Sequence, residues 1–167
     1  MVIKRVFVGT SFVVAYATIL CSKMKLSISD IFNIVIGRTT NTVNRKLQRE
    51  FKRVNLAITH EQWTLLSALW EEDGQTQQAL SAKTFRDKTS VTRLIDKLEK
   101  QNLVIRIPDK TDQRINLIYL TSQGKTLEKI TEPVLNEVYK KAIQGISEKD
   151  ILVCKEVLNQ VFENLKD

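Results

Sequence analysis

Residues 79–121 read ALSAKTFRDKTSVTRLIDKLEKQNLVIRIPDKTDQRINLIYLT, and the order of patterns inside that stretch decides the fold. Asp87 is a good N-cap in front of Lys88–Lys100, where Val91, Leu94, Ile95 and Leu98 recur at helical spacing. At about 100° per residue, Thr89 and Arg93 point away from that stripe, Ser90 and Thr92 flank it, and Lys97 and Lys100 lie further along. A face of short hydroxyls and cations suits a major groove. Hydroxyls meet bases or phosphates without bulk, and an Arg reaches guanine O6 and N7 with both arms of its fork. An ordinary solvated helix face has the same composition, so this helix alone does not identify a ligand.

The segment after it narrows the choice. Leu103–Ile107 and Ile115–Leu120 are β-rich runs that enclose the polar residues 108–114, which predicts a hairpin with a projecting tip. Arg106, Asp109, Asp112 and Arg114 are expected to pair with one another and stiffen the tip, leaving Lys110 and one Arg to face phosphates or a minor groove. Upstream, residues 75–82 read as a short helix that would cross a DNA backbone, with Gln77 and Ser81 able to touch phosphates. Short helix, basic amphipathic helix with Lys88 in its first turn, and hairpin make a winged helix-turn-helix, and double-stranded DNA the leading candidate partner. The fold class expected is mainly α with a small β-hairpin wing.

Length and charge agree with one compact unit plus an N-terminal appendage. At 167 residues and formal charge +7, the chain can bury a core and keep a basic surface. Basic charge by itself also fits RNA or an anionic membrane. Its distribution is informative: Arg38, Arg45, Lys46, Arg49, Lys52 and Arg53 load the helix ahead of the winged unit, whereas the C-terminal helices mix both signs. Cys21 and Cys154 form no disulfide framework, which fits a reducing compartment.

Catalysis finds no constellation. His60 is the only histidine, and neither cysteines nor carboxylates fall at metal-ligand or nucleophile spacing. No phosphate-cradling Gly-rich loop is present. The expectation is a protein that is not an enzyme and uses no metal or cofactor.

The run from Thr59 to about Leu127 resembles the MarR family of bacterial transcriptional regulators. Ser90–Lys100 through Leu103 and Val104 is similar to that family's recognition helix and its exit. Arg106, Asp109, Asp112 and Arg114 match the spacing of its wing signature, and Leu120–Lys125 matches the start of the helix after the wing. Thr59–Trp63 is similar to the family's second-helix start, with Thr59 as cap and Gln62 at the capping-box position. One departure stands out. Relatives often carry Gly-Leu-Ser between the two DNA-proximal helices, whereas this chain has Phe85-Arg86-Asp87, so the turn must avoid positive φ or accept strain.

The resemblance implies a ligand-responsive repressor that binds a pseudo-palindromic operator as a homodimer in the cytoplasm. It makes Arg114 the minor-groove side chain and Asp112 its orienting partner. The last helix, capped at Ser147, carries Ile151, Cys154, Leu158, Val161 and Leu165 at helical spacing, a stripe that calls for a second surface. The family's interlocked terminal helices supply one, joined here by Ile31 and Ile34. Residues 27–53 and 122–167 would be dimerisation helices around a winged core at 59–121, within a MarR-like domain at 24–167. The family's effector pocket adjoins the first, second and fifth helices. On this chain Phe32, Ile36, Arg38, His60, Trp63 and Trp70 would line it and take a small aromatic or anionic effector, although plain core packing also accounts for either tryptophan.

Residues 1–23 pair Lys4-Arg5 with an apolar run over 6–20, the layout of a signal peptide, but short for a spanning helix. A targeting or anchoring segment, an extra element packed on the dimer, and translated sequence upstream of the true start are the alternatives. Met24 opens a stretch resembling the usual family beginning, which favours the third. A membrane-anchored winged-helix module for protein interaction is the competing reading of the whole chain.

Overall fold

The computed structural model describes Asp30 and residues 33–166. The chain divides into two compact units, 1–43 and 44–167. In the first, a π-helix covers Asn33–Thr39, and Thr39 Oγ1 donates to the Ile34 carbonyl five residues back at 2.8 Å. Expectations placed on residues 1–23, on Ile31 and Phe32, and on the side chain of Ile36 lie outside the described residues.

Helix α1 (Thr40–Arg53) leads to α2 (His60–Glu71), β1 (Gln75–Thr76), α3 (Gln77–Thr84) and α4 (Lys88–Lys100). The hairpin follows as β2 (Val104–Pro108) and β3 (Asn116–Leu120), then α5 (Ser122–Ala142) and α6 (Glu148–Leu165). The sheet is antiparallel with β3 in the middle, ordered β1-β3-β2. Among the described residues, no helix is long and apolar enough to cross a membrane.

The core of the second unit forms because each amphipathic element has its stripe at the right phase. Phe51 from α1, Leu65, Leu66 and Leu69 from α2, Leu80 from α3, Val91, Ile95 and Leu98 from α4, and Val104 and Ile118 from the sheet are fully buried in one cluster. Each such side chain contributes about 1.5–3 kcal/mol relative to exposure. Local signals set the boundaries. Thr59 and Gln62 make the reciprocal capping box of α2, Asp87 caps α4, Thr121 caps α5 and Ser147 caps α6. Helix α5 runs through Pro133 without ending there.

One expected element changes identity. Gln75 and Thr76, read as the start of a short helix, instead form β1, pairing with Ile118 and Leu117. Gln75 is buried, and its Nε2 donates to the carbonyls of Ala68 and Glu72 at 2.8 and 2.7 Å, satisfying the end of α2. Thr76 is the N-cap, accepting from Ala79 N at 3.0 Å, so α3 begins only at Gln77.

Candidate nucleic-acid interface

The turn between α3 and α4 is built without glycine. Phe85 takes φ 52° and ψ 41°, so the chain accepts left-handed strain at the position where glycine was expected. The Phe85 ring is 76% exposed and meets Phe162 of α6 edge to face, with centroids 5.0 Å apart. Asp87 then starts α4. Its carboxylate accepts from the Ser90 amide at 2.8 Å and the Ser90 hydroxyl at 2.6 Å, bonds that hold the carboxyl below its ordinary range.

Several hydroxyls expected to address DNA are engaged inside the chain. Thr92 Oγ1 donates to Gln77 Oε1 at 3.0 Å and lies 2.9 Å from the Lys88 carbonyl, tying α4 to α3. Ser81 donates to the Arg86 carbonyl and so fixes the turn. Ser90 belongs to the cap. Thr89, Arg93, Lys88 and Lys97 remain exposed, and their side chains enter no hydrogen bond or ion pair among the described residues. Val91, Ile95 and Leu98 bury the opposite face completely. The polar side of α4 therefore points out of the fold.

The wing is clamped differently from the expected pairing. Arg106 does not pair within the tip. It reaches back to α4, with one guanidinium nitrogen 2.5 Å from Asp96 Oδ1 and the other bonded to Glu99, and is only 20% exposed. Bidentate engagement of a guanidinium by two carboxylates one turn apart fixes the base of the hairpin against the helix. Asp109 and Asp112 shape the tip through backbone bonds. Asp109 Oδ1 accepts from the hydroxyl and amide of Thr111 and from Asp112 N, which lowers its carboxyl, while Asp112 Oδ1 accepts from Arg114 N at 3.0 Å. Asp112 thus orients Arg114 through its main chain. Lys110 and Arg114 stand exposed at the tip without an ion pair among the described residues.

A chain of glutamines, of which the sequence singled out only Gln62 and only as a capping-box residue, positions α4 from behind. Gln48 on α1 donates to the Ile58 carbonyl and accepts from His60 N. Gln62 closes the α2 capping box and donates to Gln101 Oε1 at 2.8 Å, while Gln101, the C-cap of α4, donates to the Ala57 carbonyl at 2.7 Å. Gly124 then allows α5 to lie on the start of the wing, because a Cβ there would sit 2.1 Å from the Leu103 carbonyl oxygen. Asp96 and Glu99 carried a usable signal: acids on the polar face of a basic helix, shortly before a hairpin arginine.

Of the expected effector residues, two tryptophans share a cavity within the second unit. Trp63 and Trp70 line a cavity of about 340 Å³ between α2 and α5, and Trp70 Nε1 donates to the Gly124 carbonyl at 3.0 Å. His60 stacks on Trp63 at 5.8 Å, outside that lining, and burial lowers its imidazole below the ordinary range. Arg38, exposed, belongs to the first unit. The charged side chains at the cavity are the acids Glu128 and Glu132 rather than a cation. On α6, Cys154 is exposed, Leu158 and Leu165 are 41% and 71% exposed, and Ile151 and Val161 are half-buried; Ile34, in the first unit, is 44% exposed.

The MarR family model matches residues 58–115, the stretch from the start of α2 through the wing tip. The HTH-type transcriptional regulator MhqR of Bacillus subtilis (strain 168) is 27% identical over 133 residues, covering 80% of this chain and 90% of its own length. The HTH-type transcriptional regulator FarR of Neisseria gonorrhoeae is 31% identical over 105 residues, which cover 62% of this chain and 71% of FarR. The crystal structure of the transcriptional regulator SlyA is similar with a TM-score of 0.74 and 27% identity, over 81% of this chain and 94% of that one. Helix, turn, recognition helix and wing thus agree in order, geometry and sequence with these regulators, and the chain belongs to the MarR family of DNA-binding transcriptional regulators.

Proposed function

We propose that the protein is a ligand-responsive repressor that binds a pseudo-palindromic operator as a homodimer. The observation that carries this reading is the exposed, unpaired face of α4, Thr89 and Arg93 with Lys88 and Lys97, beside a wing whose Lys110 and Arg114 are equally free. Thr89 and Arg93 would address base edges in a major groove, with Arg114 in the flanking minor groove. Lys88, Lys97 and Lys110 would hold phosphates, and their share of the affinity would fall steeply with salt. Gln77, Ser81, Ser90 and Thr92 then act as the frame that aims these groups, as do Arg106, Asp109 and Asp112.

Dimerisation is supported by α6, which buries no side chain fully and leaves Leu152, Val157, Leu158, Phe162 and Leu165 exposed. A terminal helix with this much apolar surface is stabilised by a second surface, and a second copy offers one with two-fold symmetry. Two α4 helices held about one helical turn of DNA apart would then match half-sites and occlude a promoter. A ligand that prefers a different separation releases the operator, for which about 1–3 kcal/mol of coupling suffices. A cytoplasmic location follows from the same role.

The test uses DNA fragments selected from a genomic library by the full chain, with salt varied. Arg93→Ala should cost about 1–3 kcal/mol and relax preference at one base pair of each half-site. Arg114→Ala should weaken binding with less effect on sequence preference and reduce the salt slope by about one. Equal, sequence-blind losses for both variants would refute the base-reading role of Arg93.

A further inference from the structure

The cavity between α2 and α5 has a chemical character that its position in the fold does not dictate. Its α2 wall is formed by the rings of Trp63 and Trp70, two turns apart on one helix face, and its α5 wall includes Leu135 and Tyr139. On the same wall, with the neutral polar side chains of Thr131 and Asn136, stand Glu128 and Glu132. They are exposed, one turn apart, and neither carboxylate enters an ion pair or side-chain hydrogen bond among the described residues. No lysine or arginine lines the space among those residues. Several other acids among the described residues do have cationic partners: Glu50 with Lys46 and Arg53, Glu71 with Lys83, and Asp96 and Glu99 with Arg106.

Two like charges at i and i+4 repel. A cation between them would relieve the repulsion, and indole faces attract a positive charge through their quadrupole. An anion would be repelled by the two carboxylates of the α5 wall. The volume, about 340 Å³, is at the small end of ordinary ligand sites and admits one ring with a small substituted ammonium. We infer that this cavity binds an aromatic organic cation, a quaternary or protonated amine, and not the aromatic anion that the sequence suggested. The inference rests on the ligand-responsive reading for its regulatory meaning, but not for binding itself.

Trp63 and Trp70 are the only two tryptophans of the chain, so fluorescence excited selectively in tryptophan reports from residues of this cavity. Full-length protein is titrated with benzyltrimethylammonium chloride and, at equal ionic strength, with sodium phenylacetate. A saturable fluorescence change with the ammonium and none with the carboxylate is expected. Glu128→Gln or Glu132→Gln should each weaken ammonium binding about tenfold, a factor equal to ~1.4 kcal/mol. Unchanged urea midpoints would show both variants folded. Equal or tighter binding of phenylacetate, absence of saturation with the ammonium, or full binding by the double Gln variant overturns the inference. DNA affinity is measured separately with the ammonium at saturation. A shift supports ligand-responsive regulation, whereas saturable binding with unchanged DNA affinity keeps the cation site and overturns only that regulatory reading.

Discussion

Helices α4 and α6 are both amphipathic, yet they end in opposite states. Val91, Ile95 and Leu98 on α4 are fully buried within their own chain, leaving a polar face outside. On α6 no side chain is fully buried, and Leu152 and Val157 are 55% and 56% exposed. An apolar stripe satisfied internally frees the other face of a helix for a polar partner such as DNA. A stripe left exposed marks the apolar face itself as the surface that meets another molecule. The periodicity of a helix therefore does not say which of its faces is functional; the burial of the stripe does.

The sharpest break of this contrast is Leu158→Asp. The side chain is 41% exposed in the single chain, so a monomer should tolerate the change within about 0.5 kcal/mol. In the proposed dimer it places an unpaired carboxylate in an apolar interface, and sedimentation should show monomers. Operator affinity should fall by about 10²-fold or more, because the second half-site no longer binds intramolecularly. An unchanged sedimentation profile would remove α6 from the interface.

Leu98→Ala is the counterpart on α4 and should fail in another way. Its side chain is fully buried, so truncation should cost about 2–5 kcal/mol in urea unfolding. The loss should not depend on protein concentration beyond that of the unmodified chain, since it arises within one copy. A loss comparable to the Leu158→Asp affinity effect, but with dimers retained, would place the two stripes in separate roles.

How much of this was legible depends on how far each signal reaches. Thr59 with Gln62, Asp87, Thr121 and Ser147 were found because a cap and its partner lie within one helical turn. The limits of α4 and the hairpin followed from the same local rules. β1 was missed because a two-residue strand has no periodicity and exists only through pairing with β3. Arg106 was assigned to the tip because neighbouring acids were visible there, whereas Asp96 and Glu99 compete only once the hairpin folds against α4. Glu128 and Glu132 went unnamed for a similar reason: they meet the tryptophans only after α5 packs on α2.

A smaller effect is expected where α6 meets the α3–α4 turn through aromatic rings. Phe85 sits at φ 52°, a conformation that costs a non-glycine residue about 1–2 kcal/mol, and its ring meets Phe162 of α6. An edge-to-face pair contributes about 0.5–1.5 kcal/mol, which offsets much of that strain. Phe85→Gly should therefore change stability little in the unmodified chain, yet stabilise the Phe162→Ala variant by about 1 kcal/mol. The double-mutant cycle isolates the ring pair. A coupling of zero would show that α6 does not lean on the α3–α4 turn in solution, and would leave the whole apolar face of α6 open to a second copy.

The smallest effect uses pH to loosen the core while sparing α6. His60 is the only histidine, and burial beside Trp63 lowers its folded-state value below the ordinary imidazole range, with Arg86 acting in the same direction and Glu61 opposing. Between the lowered folded value and the unfolded value near 6.5, the unfolded chain binds more protons, so stability rises with pH across that window. The contribution is fully present above the unfolded value and is lost as pH falls through the window toward the folded one. Urea midpoints taken from pH 7 to pH 5 should decline, and His60→Gln should flatten the part of that decline nearest pH 6. The dimer constant should stay level across the same range, since α6 carries no histidine. A decline between pH 7 and pH 5 that survives His60→Gln unchanged would remove the imidazole as its cause, and it could not be assigned to Asp109, Asp87 or Glu50, the carboxylates held low by Thr111, Ser90 and Lys46. Those groups contribute stability above their unfolded values and lose it only as pH falls through their depressed folded ones, which places their signature at lower pH than that of the imidazole.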